Sequence, residues 1–172
     1  MSYRIRRLKA DETLRAAPAL GVVLKDCVDG GASASFMADL TLDEATAFWE
    51  GAASAQRGDG RAVLVAEDDD GVFGVVQVIA AGMPNQPHRG DVAKMLVHRR
   101  GRRRGAAEAL LAAAEQAGRD LGLTLLVLDT VTGGDAERLY ARLGWTRVGS
   151  IPNYALMPDG TPCTTTYFYK DI

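Results

Sequence analysis

The sequence predicts a single α/β domain: a mixed sheet of about seven strands with helices on both faces. Two patterns predict it. Residues 91–97 read as a strand, residues 105–121 as an alanine-rich helix and residues 124–129 as a second strand. A strand–helix–strand unit of this kind closes by a right-handed crossover and makes its strands locally parallel. Just before it, residues 62–67 and 72–80 are apolar runs joined by Asp68-Asp69-Asp70-Gly71, the signature of an antiparallel hairpin. Parallel and antiparallel pairs in one sheet, with helices between, give a layered α/β domain. The length of 172 residues suits one such domain spanning 1–172.

The elements follow in order. Residues 3–8 alternate as a short edge strand. Residues 11–24 place Leu14, Ala17, Leu20 or Gly21, and Leu24 at helical spacing, with Pro18 as a flaw. Residues 30–36 are a glycine- and serine-rich loop. Thr41-Leu42-Asp43-Glu44 is a capping box, so a second helix runs from there to about Gln56, ended by Arg57-Gly58-Asp59-Gly60. Residues 82–89, with Pro84 and Pro87, form an irregular loop. The helix at 105–121 carries a stripe of Ala106, Leu110, Ala113, Ala117 and Leu121. Residues 124–129 are apolar on both faces, as in a buried strand. A short helix at 135–143 stops at Gly144. Strands at 145–151 and 164–169 complete the sheet.

Composition excludes several classes. Net charge is −2 with 47% hydrophobic residues, an ordinary balance that predicts neither nucleic-acid nor membrane binding. The N-terminus has no signal-like apolar run, and no stretch approaches the ~20 apolar residues of a membrane span, so the expected compartment is the cytoplasm. Cys27 and Cys163 lack metal-ligand spacing and a nearby histidine. They are expected to be reduced, buried thiols, with no metal.

Chemistry concentrates in His98-Arg99-Arg100-Gly101-Arg102-Arg103-Arg104-Gly105-Ala106-Ala107, between a strand and a helix. A helix N-terminus presents free backbone N–H groups, which together with the helix dipole favour an anion such as pyrophosphate. Gly105 lets the backbone approach that anion closely. The arginines could instead be a solvated charge run or meet nucleic-acid phosphates, but no basic face or aromatic platform supports the latter. No glycine–lysine–serine/threonine ending is present, so a nucleotide P-loop is not indicated.

Arg102-x-x-Gly105-x-Ala107 resembles the Arg/Gln-x-x-Gly-x-Gly/Ala motif of the GNAT N-acetyltransferases. The preceding Lys94-Met95-Leu96-Val97-His98 is similar to that family's splayed cofactor strand. Arg138-Leu139-Tyr140-Ala141-Arg142-Leu143-Gly144-Trp145 is similar to its leucine–tyrosine–x–x–leucine–glycine–aromatic helix end. The resemblance implies the GNAT fold, with a mostly antiparallel, twisted sheet and a central splayed parallel pair. It implies acetyl-CoA as cosubstrate. The pyrophosphate would lie on backbone N–H groups of Arg103, Arg104, Gly105, Ala106 and Ala107, with Arg102 and its neighbours adding charge. Leu96 and Val97 would bond the pantetheine arm through their backbones, and an N–H on that strand would polarise the acetyl carbonyl.

The family also supplies chemical roles. Tyr140 matches the position that protonates the departing thiolate; otherwise it is a packed helix tyrosine. Asp129 is the candidate base for the attacking ammonium, and the alternative is a helix-capping aspartate. A closer similarity joins Asn85-Gln86-Pro87-His88-Arg89, Leu128-Asp129-Thr130, Gly149-Ser150-Ile151-Pro152-Asn153-Tyr154 and Pro158-Asp159-Gly160 to the GNAT subgroup that includes the tabtoxin resistance protein. That subgroup is described as using an aspartate and a tyrosine. Its substrate-side loop resembles residues 26–33, and the expected acceptor contacts are Ser33, Phe36, Asn85 and His88. His88 otherwise reads as a surface-loop histidine, His98 as a residue orienting the turn, and Phe48 and Trp49 as core or as pocket walls.

The resemblance therefore implies acetyl transfer to a primary amine of a small molecule, amino-acid-like or β-lactam-type, in a resistance role. A protein or peptide acceptor and a non-catalytic acyl-CoA-binding sensor are the alternatives. GNAT domains often pair through their sheets, which allows a homodimer here.

Overall fold

The computed structural model describes residues 2–58 and 60–172, so Asp59 of the expected turn after the second helix lies outside the described residues. The elements are β1 (Arg4–Leu8), α1 (Ala10–Asp29), α2 (Leu42–Ala55), β2 (Arg61–Asp68), β3 (Gly71–Ala80), β4 (Arg89–Val97), α3 (Ala106–Asp120), β5 (Leu125–Val131), α4 (Asp135–Arg142), β6 (Thr146–Leu156) and β7 (Pro162–Asp171). A single 3₁₀ turn, Arg99–Gly101, lies between β4 and α3. Seven strands form one sheet in the order β1-β2-β3-β4-β5-β7-β6. Every pairing is antiparallel except β4 with β5. The expected mixed sheet, hairpin and crossover are all present.

Helices cover both faces. α1 and α2 pack on one face, burying Leu20, Leu24 and Trp49 over Val63, Val65 and Val75. α3 and α4 pack on the other, where Leu110, Leu111, Ala114 and Tyr140 meet Leu64, Val76, Leu126 and Phe168. The alternation of β2 divides Ala62, Leu64 and Ala66 from Val63 and Val65, as a strand buried on both faces requires. None of the described helices is long and apolar enough to cross a membrane.

Several boundaries differ from those expected. α1 runs five residues beyond Leu24, because Cys27 and Val28 continue its buried face. Leu14 is 43% exposed, and the buried stripe runs instead through Thr13, Ala17, Leu20, Gly21 and Leu24. Pro18 is tolerated on the solvent side. At Gly21, an added Cβ would stand 2.7 Å from Thr46 Oγ1, so this glycine sets the close crossing of α1 and α2. The Thr41–Glu44 capping box is formed, with reciprocal bonds of 3.2 and 2.8 Å. In α3, Ala113 and Leu121 are only partly buried, and Leu111, Ala114 and Gly118 take the inner face with Ala106, Leu110 and Ala117. β5 continues to Val131 rather than ending at Asp129. β6 and β7 extend to form a long hairpin with an irregularity between Ile151 and Ala155, where Asn153 has φ +53°.

Candidate active site

The site begins where the parallel pair comes apart. β4 and β5 are in register only at Arg89–Leu125, Gly90–Leu126 and Asp91–Val127. Beyond Asp91 they share no pairs, because β4 bulges. Its register against β3 shifts between Val75 and Gln77, and Lys94 adopts φ +52°. A bulge bends its strand and breaks the ladder locally. The resulting cleft has a volume of about 850 Å³ and reaches from β4 and β5 to the 31–37 loop, Tyr140 and the β6–β7 hairpin. That is within the usual size of a small-molecule site.

At the open end of β4 the chain enters the arginine-rich turn. Arg103 and Gly105 both have positive φ, +60° and +78°. Gly105 is the N-cap of α3 and offers no side-chain cap, so the first-turn N–H groups of the helix have no capping side chain. A Cβ at Gly105 would meet only Tyr3 Oη, at 3.6 Å, which leaves the approach to these donors open. The arrangement suits an anion.

The arginine side chains divide in a way the sequence does not reveal. Arg100 and Arg104 both grip Asp68 at the β2–β3 hairpin, at 2.9 Å each. Arg104 also lies over the Phe73 ring, 4.8 Å from its centroid. The Asp68 side chain is 2% exposed, and the two guanidiniums hold its carboxyl down at about 2. Arg99 pairs with Asp26 of α1 through its side chain and donates its backbone N–H to the same carboxylate at 2.9 Å. His98 Nδ1 accepts from the Arg100 N–H at 3.1 Å, so this histidine orients the turn. Arg102 reaches the Val97 carbonyl at 3.3 Å, and both Arg102 and Arg103 are exposed. Leu96 is buried and Val97 partly so at the end of β4.

Asp129 and Tyr140 meet at the cleft. Asp129 sits inside β5, in register with Tyr167 of β7. The cap of α4 is Gly134, so the helix-cap alternative for Asp129 is not realised. Asp129 opens to solvent through the cleft mouth, yet protein around its other sides penalises its charge and raises its carboxyl above the ordinary range. Lys94 opposes that shift and Asp91 adds to it. Tyr140 is buried against Trp145 and Phe168, with its phenol pushed up to about 12, chiefly by burial and then by the charge of Asp129. It stays protonated, and therefore a donor, throughout the neutral range.

The expected acceptor contacts divide between the cleft and a loop away from it. Ser33 and Phe36 line the cleft. Asn85 and His88 do not line it: their loop precedes the paired end of β4, and the His88 carbonyl accepts from Thr124 and Leu125 there, at 2.9 and 3.2 Å. Trp49 is wholly buried, whereas Phe48 stacks edge-on against Phe36. Both cysteines are free and buried. Lys94 also lines the cleft, and its only local signal in the sequence is a charge between Ala93 and Met95. Tyr154 and Tyr167 form a hydroxyl-bonded pair at the cleft rim that the sequence does not reveal. The 31–37 loop is fastened across to the β6–β7 hairpin by Ser33 Oγ to the Leu156 carbonyl at 2.8 Å. The Ala38 N–H makes a second tie, to the Pro158 carbonyl at 3.0 Å.

The family model described as an acetyltransferase (GNAT) domain matches residues 59–147, which include β4, the turn, α3, Asp129 and Tyr140. Solved structures agree over the whole chain. A ribosomal-protein-alanine N-acetyltransferase from Brucella melitensis is 19% identical, covering 98% of this chain and 99% of its own, with a TM-score of 0.79. An N-acetyltransferase from Staphylococcus aureus Mu50 is 17% identical, covering 99% of each chain, with a TM-score of 0.81. A GNAT superfamily phosphinothricin acetyltransferase from Sinorhizobium meliloti, in complex with acetyl-CoA, is 18% identical, covering all of this chain and 89% of its own, with a TM-score of 0.80. At these identities the likeness establishes the fold.

Proposed function

The chain belongs to the GNAT acetyltransferase family, and from that premise we propose that it transfers acetyl from acetyl-CoA to a primary amine of a small, amino-acid-like molecule. The observation that carries this reading is the uncapped α3 N-terminus at Gly105, set at the open end of the β4–β5 splay. Acetyl-CoA supplies the activated acetyl thioester. Backbone N–H groups of Arg103 to Ala107 hold its pyrophosphate, with Arg102 adding charge. Leu96 and Val97 offer backbone bonds to its pantetheine arm along the edge of β4 that β5 has left.

Asp129 accepts a proton from the incoming ammonium, directly or through water, since only the neutral amine attacks. Its raised carboxyl makes it a better base than an ordinary aspartate. Tyr140, held protonated by burial, donates to the departing sulfur. The small-molecule acceptor is supported by the ties of Ser33 to Leu156 and Ala38 to Pro158, which roof the acceptor side of the cleft. The Sinorhizobium meliloti neighbour named for phosphinothricin, and the resemblance to the tabtoxin resistance subgroup, make amino-acid antimetabolites the first acceptors to test, with resistance as the role.

Acetyl-CoA at about a hundred times its Kd should stabilise the chain by ~2.7 kcal/mol, raising Tm by roughly 5–10 °C. Gly105→Glu places a side chain and a like charge at the anion site and should abolish that rise. A wild-type Tm unmoved by saturating acetyl-CoA would contradict the assignment.

A further inference from the structure

We propose that Lys94 is a specificity-determining residue that anchors the acceptor's carboxylate, so that the acceptor is an α-amino acid or close analogue with its amine at Asp129. This deepens the proposed acetyl transfer and rests on it. Among the described residues lining the cleft, Lys94 is the only cation. It has no ion pair with any described residue. Its Nζ donates to Ser35 Oγ at 2.9 Å and lies 5.9 and 5.5 Å from the Phe36 and Phe48 ring centroids. An ammonium held this way keeps donors for an anion.

The backbone makes the placement a built feature. Lys94 at φ +52° and Ser35 at φ +74° are both left-handed and neither is glycine, and their side chains bond to each other. Non-glycine residues in that region persist only where the surroundings hold them, and they cluster at ligand sites. The burial of Lys94 lowers its pKa, and a bound carboxylate would offset that penalty.

The facing charges sort the rest of the ligand. Asp91 is already paired with Arg89 at 2.8 Å. Among the described residues Asp129 has no such ion-pair partner, only the field of Lys94, and it remains for the ammonium. Lys94 lies among the α1–α2 side aromatics, whereas Tyr140 belongs to the α3–α4 layer. The cation therefore serves the acceptor rather than the cofactor phosphates, whose cradle is the turn after Val97. A simple alkylamine would bring no anion to Lys94, and a polyamine would be repelled by it. A zwitterion satisfies both charges.

The test compares the proteinogenic L-amino acids and phosphinothricin, each against its own α-carboxamide, by acetyl-CoA thiol release. Wild type should prefer the acid of at least one pair. Lys94→Met should reduce that acid-to-carboxamide ratio of kcat/KM by about tenfold to a hundredfold, mainly through KM. Lys94→Arg should restore a preference for the acid. Thermal shift with acetyl-CoA separates a donor-site defect from an acceptor-site one. Wild-type turnover of carboxamides without preference for any acid overturns the anchor and leaves the acetyl transfer standing. Equal loss of acid and carboxamide in Lys94→Met, with the acetyl-CoA shift intact, also overturns it. No turnover of any amine overturns both readings.

Discussion

Asp129 carries a charge that the fold disfavours and that the proposed acetyl transfer would use. Its carboxyl is raised by enclosure, so the folded chain binds that proton more tightly than the unfolded chain does. Ionised Asp129 therefore costs stability above its folded pKa, and the cost disappears as pH falls through it. Asp129→Asn should hold or slightly raise Tm at neutral pH while lowering kcat by ~10²–10⁴. The acid limb of the wild-type kcat/KM profile should lie above the ordinary carboxylate range and be absent from the residual activity of the variant. Tyr140→Phe keeps the packing against Trp145 and Phe168. Stopped-turnover assays should show a similar loss of kcat with the acetyl-CoA thermal shift retained. That both residues would come together was legible in the sequence because each sits in a local motif. The setting of Lys94 was not, since it is made by Ser35, Phe36 and Phe48, dozens of residues away.

At the scale of elements, the arginine turn is a braced structure. Asp68 fastens the β2–β3 hairpin to Arg100 and Arg104, and Asp26 fastens α1 to Arg99. The acidic run at 68–70 reads as a hairpin turn, and that reading is correct; its second use as a clasp for the turn requires knowing that β3 lies between. The Asp68 carboxyl is depressed from 3.8 to about 2, so its contribution is fully present above the ordinary value and is lost as pH falls through about 2. Asp68→Asn should lower Tm at neutral pH, narrow the Tm gap to wild type below pH 2, and weaken acetyl-CoA binding by calorimetry. Element boundaries were less legible than element types. α1 and β5 run on because tertiary burial of Val28 and pairing of β5 with β7 extend them past the point where local pattern fades.

For the whole molecule, the decisive feature is one parallel pair that separates after three registered positions, opening a cleft through a sheet otherwise closed by antiparallel ladders. The α3 layer holds the β4 side in place: Leu110 is fully buried against β2, β3 and the rest of that core. Leu110→Ala should cost about 2–5 kcal/mol in denaturant unfolding with an unchanged m value. The element order made the mixed sheet and its crossover readable in the sequence. The tie across the cleft was not readable, because it joins the 31–37 loop to a hairpin more than a hundred residues later. Whether this cleft carries acetyl from acetyl-CoA to an amine is decided by thiol release from the purified chain with acetyl-CoA, measured with and without each amine and with the product identified by mass. Amine-dependent release with an N-acetylated product is expected; acetyl-CoA binding without amine-dependent release from any acceptor overturns acetyl transfer.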